Sequence, residues 1–316
     1  MVLGRRPAWT RRFGVGHNGG MNTPTDPALY AGADLRLAAV DMDGTLLDDD
    51  KNFPPGMDEL LDRMDERGVT FAPASGRQVW TLLDMFPGRP GMTAIGENGG
   101  IVMRDGVEVS SSPLDAPTVR EAVRLVREAT RGPDGIDGGL VMCGKRSAYV
   151  ERSDDRFVDG VMPYYHRTKR VDDQLDVIDA IESGDLDDAI VKLAVYALQP
   201  VEALAEATLS RFADTHQYAI SGANWADLQV RGVDKGRAVR DLQRFLGVTR
   251  EQTAVFGDAG NDLSMMSEGD LSFAMANASP DVVEAARFVA PSNNEAGVAQ
   301  VLRVLLGDDP LVKDRL

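Results

Sequence analysis

An apolar run over residues 35–40 ends abruptly in Asp41-Met42-Asp43-Gly44. Side chains alternate along an extended chain, so Asp41 and Asp43 leave the strand end on one side while Met42 faces the other. Two carboxylates that close repel each other, and a fold keeps them together only when a cation or a proton is shared between them. Gly44 permits a sharp turn, and Thr45 adds a hydroxyl beside it. Calcium loops also contain Asp-x-Asp, but there the glycine follows a third oxygen ligand and a glutamate closes the loop. Here Gly44 comes too early, and an apolar strand precedes it.

Three further segments end in the same style. Residues 253–262 read Thr-Ala-Val-Phe-Gly-Asp-Ala-Gly-Asn-Asp, a short apolar strand running into Asp258, with Asn261 and Asp262 just before an expected helix. A capped turn would explain Asn261 and Asp262 but not their pairing with the first segment. Residues 69–77 form another strand end, closing in Ser75-Gly76-Arg77. A serine there also reads as a helix cap, and Arg77 as either a phosphate ligand or half of an internal ion pair. Lys235 stands in Gly-Val-Asp-Lys-Gly between a strand-like and a helix-like segment, where its ammonium would offset nearby carboxylates.

Taken in order, these four segments resemble the four motifs of the haloacid dehalogenase (HAD) superfamily. The resemblance implies that Asp41 is a nucleophile and Asp43 the general acid and base. It implies that Ser75, Gly76, Lys235 and Asn261 hold phosphoryl oxygens. A magnesium ion would be bound by Asp41, by the backbone carbonyl of Asp43 and by Asp258, with Arg77 and Asp262 in support. Gly-Glu-Asn-Gly-Gly-Ile-Val at 96–102, Ala-Met-Ala-Asn-Ala at 274–278 and Ser-Asn-Asn-Glu-Ala-Gly-Val at 292–298 look like its Cof-type, class IIB branch. That branch more often has Gly where Ala276 stands.

Strand-like runs at 35–40, 69–72, 92–95, 253–256, 271–274 and 287–290 alternate with helical patterns at 55–67, 78–86, 238–246, 263–267, 280–286 and 297–306. Such alternation specifies an α/β fold with a Rossmann-like, doubly wound parallel sheet, whose ligands bind beyond the strand carboxyl ends. The stretch between is too long for one crossover. The expected organisation is a catalytic core over 34–108 and 222–316, with an inserted α/β cap of the C2 type, setting substrate specificity, over 109–221.

Residues 1–33 fall outside the pattern. They are basic and rich in Gly, Pro, Asn and Thr, so they read as a disordered leader, or as an upstream start before a true start at Met21. No apolar segment of signal-peptide or membrane-spanning length occurs, which points to the cytoplasm. The formal net charge of −16 argues against nucleic-acid and membrane partners. One cysteine, Cys143, excludes an internal disulfide and a thiolate cluster, and the three histidines lack ligand spacing. Oxygen ligands remain, which favours magnesium.

The reading is a magnesium-dependent phosphomonoester hydrolase acting on a small phosphorylated metabolite such as a sugar phosphate, through an aspartyl-phosphate. A phosphomutase of the same superfamily is the alternative within the class. A non-catalytic binding or regulatory protein is the alternative outside it.

Overall fold

Every residue of Leu37–Asp41 is buried, and the segment forms strand β1, as an interior strand of a parallel sheet should. The computed structural model describes residues 22–89 and 91–307. Met57–Glu66 follows as helix α1, which turns Met57, Leu60, Leu61 and Met64 inward at helical spacing. Strand β2 (Thr70–Ala74), helix α2 (Val79–Asp84) and strand β3 (Thr93–Gly96) come next. Then a hairpin pairs β4 (Ile101–Arg104) with β5 (Val107–Ser111). Its two turn residues, Asp105 and Gly106, have φ of 52° and 72°. That left-handed pair is the type I′ turn that matches strand twist.

The middle of the chain supplies α3 (Ala116–Thr130), β6 (Gly138–Gly144), β7 (Ala148–Val150), α4 (Asp155–Val161), β8 (Thr168–Arg170), α5 (Gln174–Ser183), β9 (Ile190–Ala197), α6 (Glu202–Ala207), β10 (His216–Gly222) and β11 (Trp225–Val230). Asp115, Asp154 and Asp173 cap α3, α4 and α5 by accepting a backbone N–H from the first turn. The last stretch contains α7 (Lys235–Leu246), β12 (Thr253–Gly257), α8 (Leu263–Met266), β13 (Leu271–Met275), α9 (Pro280–Ala285), β14 (Phe288–Ala290) and α10 (Gly297–Leu305).

The chain divides into two compact units, Met1–Pro73 with Gln243–Leu316, and Ala74–Leu242. In the first, strands lie in the order β14-β13-β12-β1-β2. β1, β12, β13 and β14 pair in parallel, with Val40 level with Phe256. Chain order reverses at β1, since β2 lies on one side and the strands that come last in the chain on the other. This is the doubly wound switch, and it places Asp41 and Asp258 at neighbouring strand ends. Phe256, Phe273 and Phe288 stack across β12, β13 and β14 at 4.9 and 5.2 Å.

The expected disordered leader needs correction from Asn22 onward. Tyr30 is 5% exposed and meets the rings of Phe273 and Phe288 edge-on at 5.0 and 5.5 Å. Thr25 exchanges two hydrogen bonds with the backbone of Val289, its N–H donating to the carbonyl and its Oγ1 accepting from the N–H. The Tyr30 ring and the Thr25 hydrogen bonds together dock the segment. Residues 1–21, with the expected start at Met21, lie outside the described residues.

In the second unit Ala74 pairs in parallel with Ile95, and β3, β4 and β5 continue antiparallel. A six-stranded sheet runs β10-β11-β9-β6-β7-β8. Its central strand β9 alternates: Leu193 and Val195 pack with Val119 and Val123 of α3, Ile178 of α5 and Leu204 of α6. Ala194 faces the other way, toward Cys143, Phe157 and Tyr165. Lys192 shares the parity of Ala194 and is fully buried.

Candidate active site

β1 delivers Asp41 to the end of the parallel sheet of the first unit, 6% exposed. β12 ends one residue before Asp258. Carboxylate oxygens of Asp41, Asp258 and Asp262 lie within 4.8 Å of one another. Like charges at that spacing are relieved by a shared proton or by a cation, and an all-oxygen donor set could hold a hard divalent metal.

The surroundings are built to hold this cluster. Thr45 Oγ1 donates to Asp258 Oδ1 at 2.9 Å. Asp262 Oδ2 accepts the backbone N–H groups of Asp258 and Ala259 at 3.0 and 3.1 Å, which clasps the loop after β12. Gly44 has φ 82°, and a Cβ there would sit 2.5 Å from Asp258 Oδ2. Glycine is therefore required for the close approach as well as for the turn. Asp43, half-buried, places Oδ1 2.9 Å from Lys51 Nζ. Asn261 is exposed.

Two of the later segments turn out to brace the first loop. Asn277 Nδ2 donates to Gly44 O at 2.8 Å, and its Oδ1 accepts from Asn293 N. Asn293 Nδ2 in turn donates to Leu47 O at 3.1 Å and to Asp49 Oδ1 at 3.0 Å. Their sequence context resembles the family branch, but their mechanical role needed the fold.

The second unit holds the other expected residues. Ser75 is 4% exposed and Lys235 is fully buried. Arg77 N–H meets Ser75 Oγ at 3.3 Å. Its guanidinium lies 5.5 Å from the Tyr164 ring. Asp234 caps the helix that Lys235 begins, its carboxylate accepting from Arg237 N at 2.7 Å.

Between these two segments lies the loop at 97–99, whose role is not readable from its residue types alone. Glu97, Asn98 and Gly99 have φ of 52°, 50° and 95°. Left-handed backbone at two consecutive non-glycine residues costs energy and concentrates at functional sites. Asn98 N donates to Ser75 O and Glu97 N to Arg77 O, both at 2.9 Å. On the other side a Cβ at Gly99 would lie 2.2 Å from Asp234 O. The loop thus brings the Ser75 and Lys235 segments against one scaffold.

Of the aromatic and basic residues at 164–167, Tyr165 is 2% exposed and Arg167 stacks over Trp80 at 3.6 Å. His166 Nδ1 lies 3.1 Å from Asp84 Oδ2. Tyr164 stays exposed, edge-on to Trp225 at 5.6 Å.

A family model of haloacid dehalogenase-like hydrolases matches residues 38–302. The 5-amino-6-(5-phospho-D-ribitylamino)uracil phosphatase YbjI of Escherichia coli is 34% identical over 279 residues, covering 86% of this chain and 96% of the relative. The HMP-PP phosphatase of Yersinia enterocolitica is 25% identical over 78% of this chain and 86% of its own length. A haloacid dehalogenase-like hydrolase from B. subtilis has the same fold, with a TM-score of 0.70 at 20% identity over 85% of this chain and 99% of that one. Among the described residues no helix is long and apolar enough to cross a membrane.

Proposed function

We propose that this chain, which belongs to the haloacid dehalogenase-like hydrolases, is a Cof-type, subclass IIB phosphatase: a magnesium-dependent hydrolase of small phosphomonoesters that works through an aspartyl-phosphate. The observation that carries the reading is the cluster of Asp41, Asp258 and Asp262 at two neighbouring strand ends. Asp41, Asp258 and the Asp43 carbonyl would hold the ion. When bound, magnesium neutralises the carboxylates and withdraws charge from a phosphoryl oxygen.

Asp41 Oδ attacks phosphorus in line with the ester oxygen, forming the carboxyl–phosphorus bond as the ester bond breaks. Asp43 gives its proton to the departing oxygen. Water then attacks the aspartyl-phosphate, Asp43 takes its proton, and phosphate leaves with Asp41 regenerated. Ser75, Gly76, Lys235 and Asn261 hold the equatorial oxygens, with Arg77 and Asp262 in support. Residues 109–221 select the substrate. A sugar phosphate fits the reading, and so does a phosphorylated uracil derivative of the kind named for the E. coli relative. The acidic surface and single cysteine support a cytoplasmic enzyme without nucleic-acid partners.

The test is phosphate release from a panel of sugar, nucleotide and heterocyclic monophosphates with magnesium present. Release from one class with conventional turnover supports hydrolysis. Conversion to an isomeric phosphate without release would favour the mutase reading, and neither would favour the non-catalytic one.

A further inference from the structure

Three successive carbonyls of the Ser75 loop are held from behind. Asn98 N takes Ser75 O and Glu97 N takes Arg77 O. Between them the Gly76 carbonyl accepts a 2.7 Å hydrogen bond from Lys192 Nζ. Lys192 comes from the middle of the six-stranded sheet, where β9 lies between β11 and β6.

A lysine in that position is costly without a purpose. Lys192 and Glu97 are each 1% exposed, and Nζ sits 2.6 Å from Glu97 Oε2 and 3.8 Å from Asp227 Oδ2. Glu97 Oε1 is buried with no hydrogen-bond partner among the described residues. Burial pulls the Lys192 ammonium toward its neutral form, but Asp227 and Glu97 outweigh it and keep it charged. Burial likewise raises the Glu97 carboxyl against the pull of Lys192. A hydrophobic residue would fill the same space with less desolvation. The charge is therefore retained for what it touches.

What it touches is one edge of the Gly76–Arg77 peptide. In a trans peptide the C=O and the N–H point in opposite directions. With Lys192 fixing the carbonyl, Arg77 N–H is turned to the other side, where it meets Ser75 Oγ at 3.3 Å. A cation behind the carbonyl also polarises the peptide and strengthens the N–H as a donor.

We propose that Lys192 is a positioning residue for phosphoryl transfer, orienting the Gly76–Arg77 peptide so that Arg77 N–H donates to Ser75 Oγ and aims the Ser75 hydroxyl proton at a phosphoryl oxygen. The proposal rests on the reading that Ser75 holds a phosphoryl oxygen. It ties the six-stranded sheet to the chemistry through one ammonium group.

The experiment uses the full chain with magnesium. Removing the ammonium alone strands the Glu97 carboxyl, so Lys192→Met is combined with Glu97→Gln, which removes both charges together. With p-nitrophenyl phosphate as substrate and inorganic phosphate as inhibitor, the double variant should retain its cooperative melting transition. It should lose about tenfold in kcat and weaken the phosphate Ki about tenfold, the scale of a catalytic group displaced by a fraction of an ångström. A folded double variant with kcat and Ki both within twofold of wild type would overturn the proposal.

A second measurement needs no variant. Inorganic phosphate titrated into the wild-type enzyme should shift the Arg77 amide resonance in a nitrogen–proton spectrum, and an unshifted Arg77 under saturating phosphate would also overturn it. Wild-type protein that hydrolyses no phosphomonoester would instead remove the reading on which the proposal rests.

Discussion

The Thr45 hydroxyl donates a 2.9 Å hydrogen bond to Oδ1 of Asp258, joining the loop after the first strand to the carboxylate at the end of its neighbour. Thr45 is 1% exposed, so water cannot substitute for it. Groups that orient a metal-binding carboxylate typically account for about ten- to hundredfold in metal affinity. Thr45→Val preserves the shape and removes the donor. It should raise the magnesium concentration for half-maximal activity by that order while leaving kcat at saturating magnesium close to wild type.

Chelation should abolish turnover, and added magnesium should restore it. Carboxylate oxygens of Asp41, Asp258 and Asp262 lie within 4.8 Å of one another, and a divalent cation among them would offset their mutual repulsion. Asp258→Asn removes one charge from the set, so it should melt at or above the temperature of the metal-free wild type yet bind magnesium far more weakly. Calorimetric titration of magnesium into both proteins checks this.

Tyr30→Ala should destabilise the first unit by about 3 kcal/mol, the loss expected when a buried aromatic side chain is truncated. Tyr30 is 5% exposed and packs against Phe273 and Phe288. Denaturant unfolding of the variant against wild type gives the value. An unchanged midpoint would mean that this ring contributes nothing to holding residues 22–33.

Much of this fold was legible because parallel strands are continuous apolar runs that end in chemistry. Asp41 and Asp258 announced themselves as carboxylates immediately after such runs, and both ends fall on neighbouring strands. The β4–β5 hairpin was missed although its Asp105-Gly106 turn is a recognised signal in the sequence. Helices α4 and α5 were missed although each begins after an aspartate cap: α4 has only 7 residues, and the apolar residues of α5 are spread around it rather than gathered on one face.

The Glu97–Lys192 pair could not have been found that way. Lys192 alone was visible as a charge inside Ile-Val-Lys-Leu-Ala-Val, but its partner lies 95 positions earlier in a loop whose left-handed backbone no propensity predicts. Asn277 and Asn293 are similar, since bracing the first loop depends on tertiary placement alone.

Cys143 should resist alkylation in the native protein. It is fully buried, and burial pushes its thiol well above the ordinary range, with the nearby Glu97 charge adding to the effect. The thiolate is the reactive form, so iodoacetamide at pH 8 should leave the native chain unmodified over the time in which the unfolded chain reacts completely. Mass spectrometry of the intact protein distinguishes the two, and rapid native modification would mean that the packing around Cys143, Tyr165 and Ala194 opens readily.

The covalent intermediate on Asp41 is the centre of the account, and trapping it is the direct test. Asp43→Asn cannot activate water, yet nitrophenolate leaves without a proton, so p-nitrophenyl phosphate should still phosphorylate the enzyme. Rapid quenching should give a burst of nitrophenolate equal to the enzyme present, slow turnover afterwards, and one phosphoryl group on the peptide that contains Asp41. Adding Asp41→Asn should remove both the burst and the label. Hydrolysis without any burst, or a label on another residue, would contradict the assignment of Asp41 as the nucleophile.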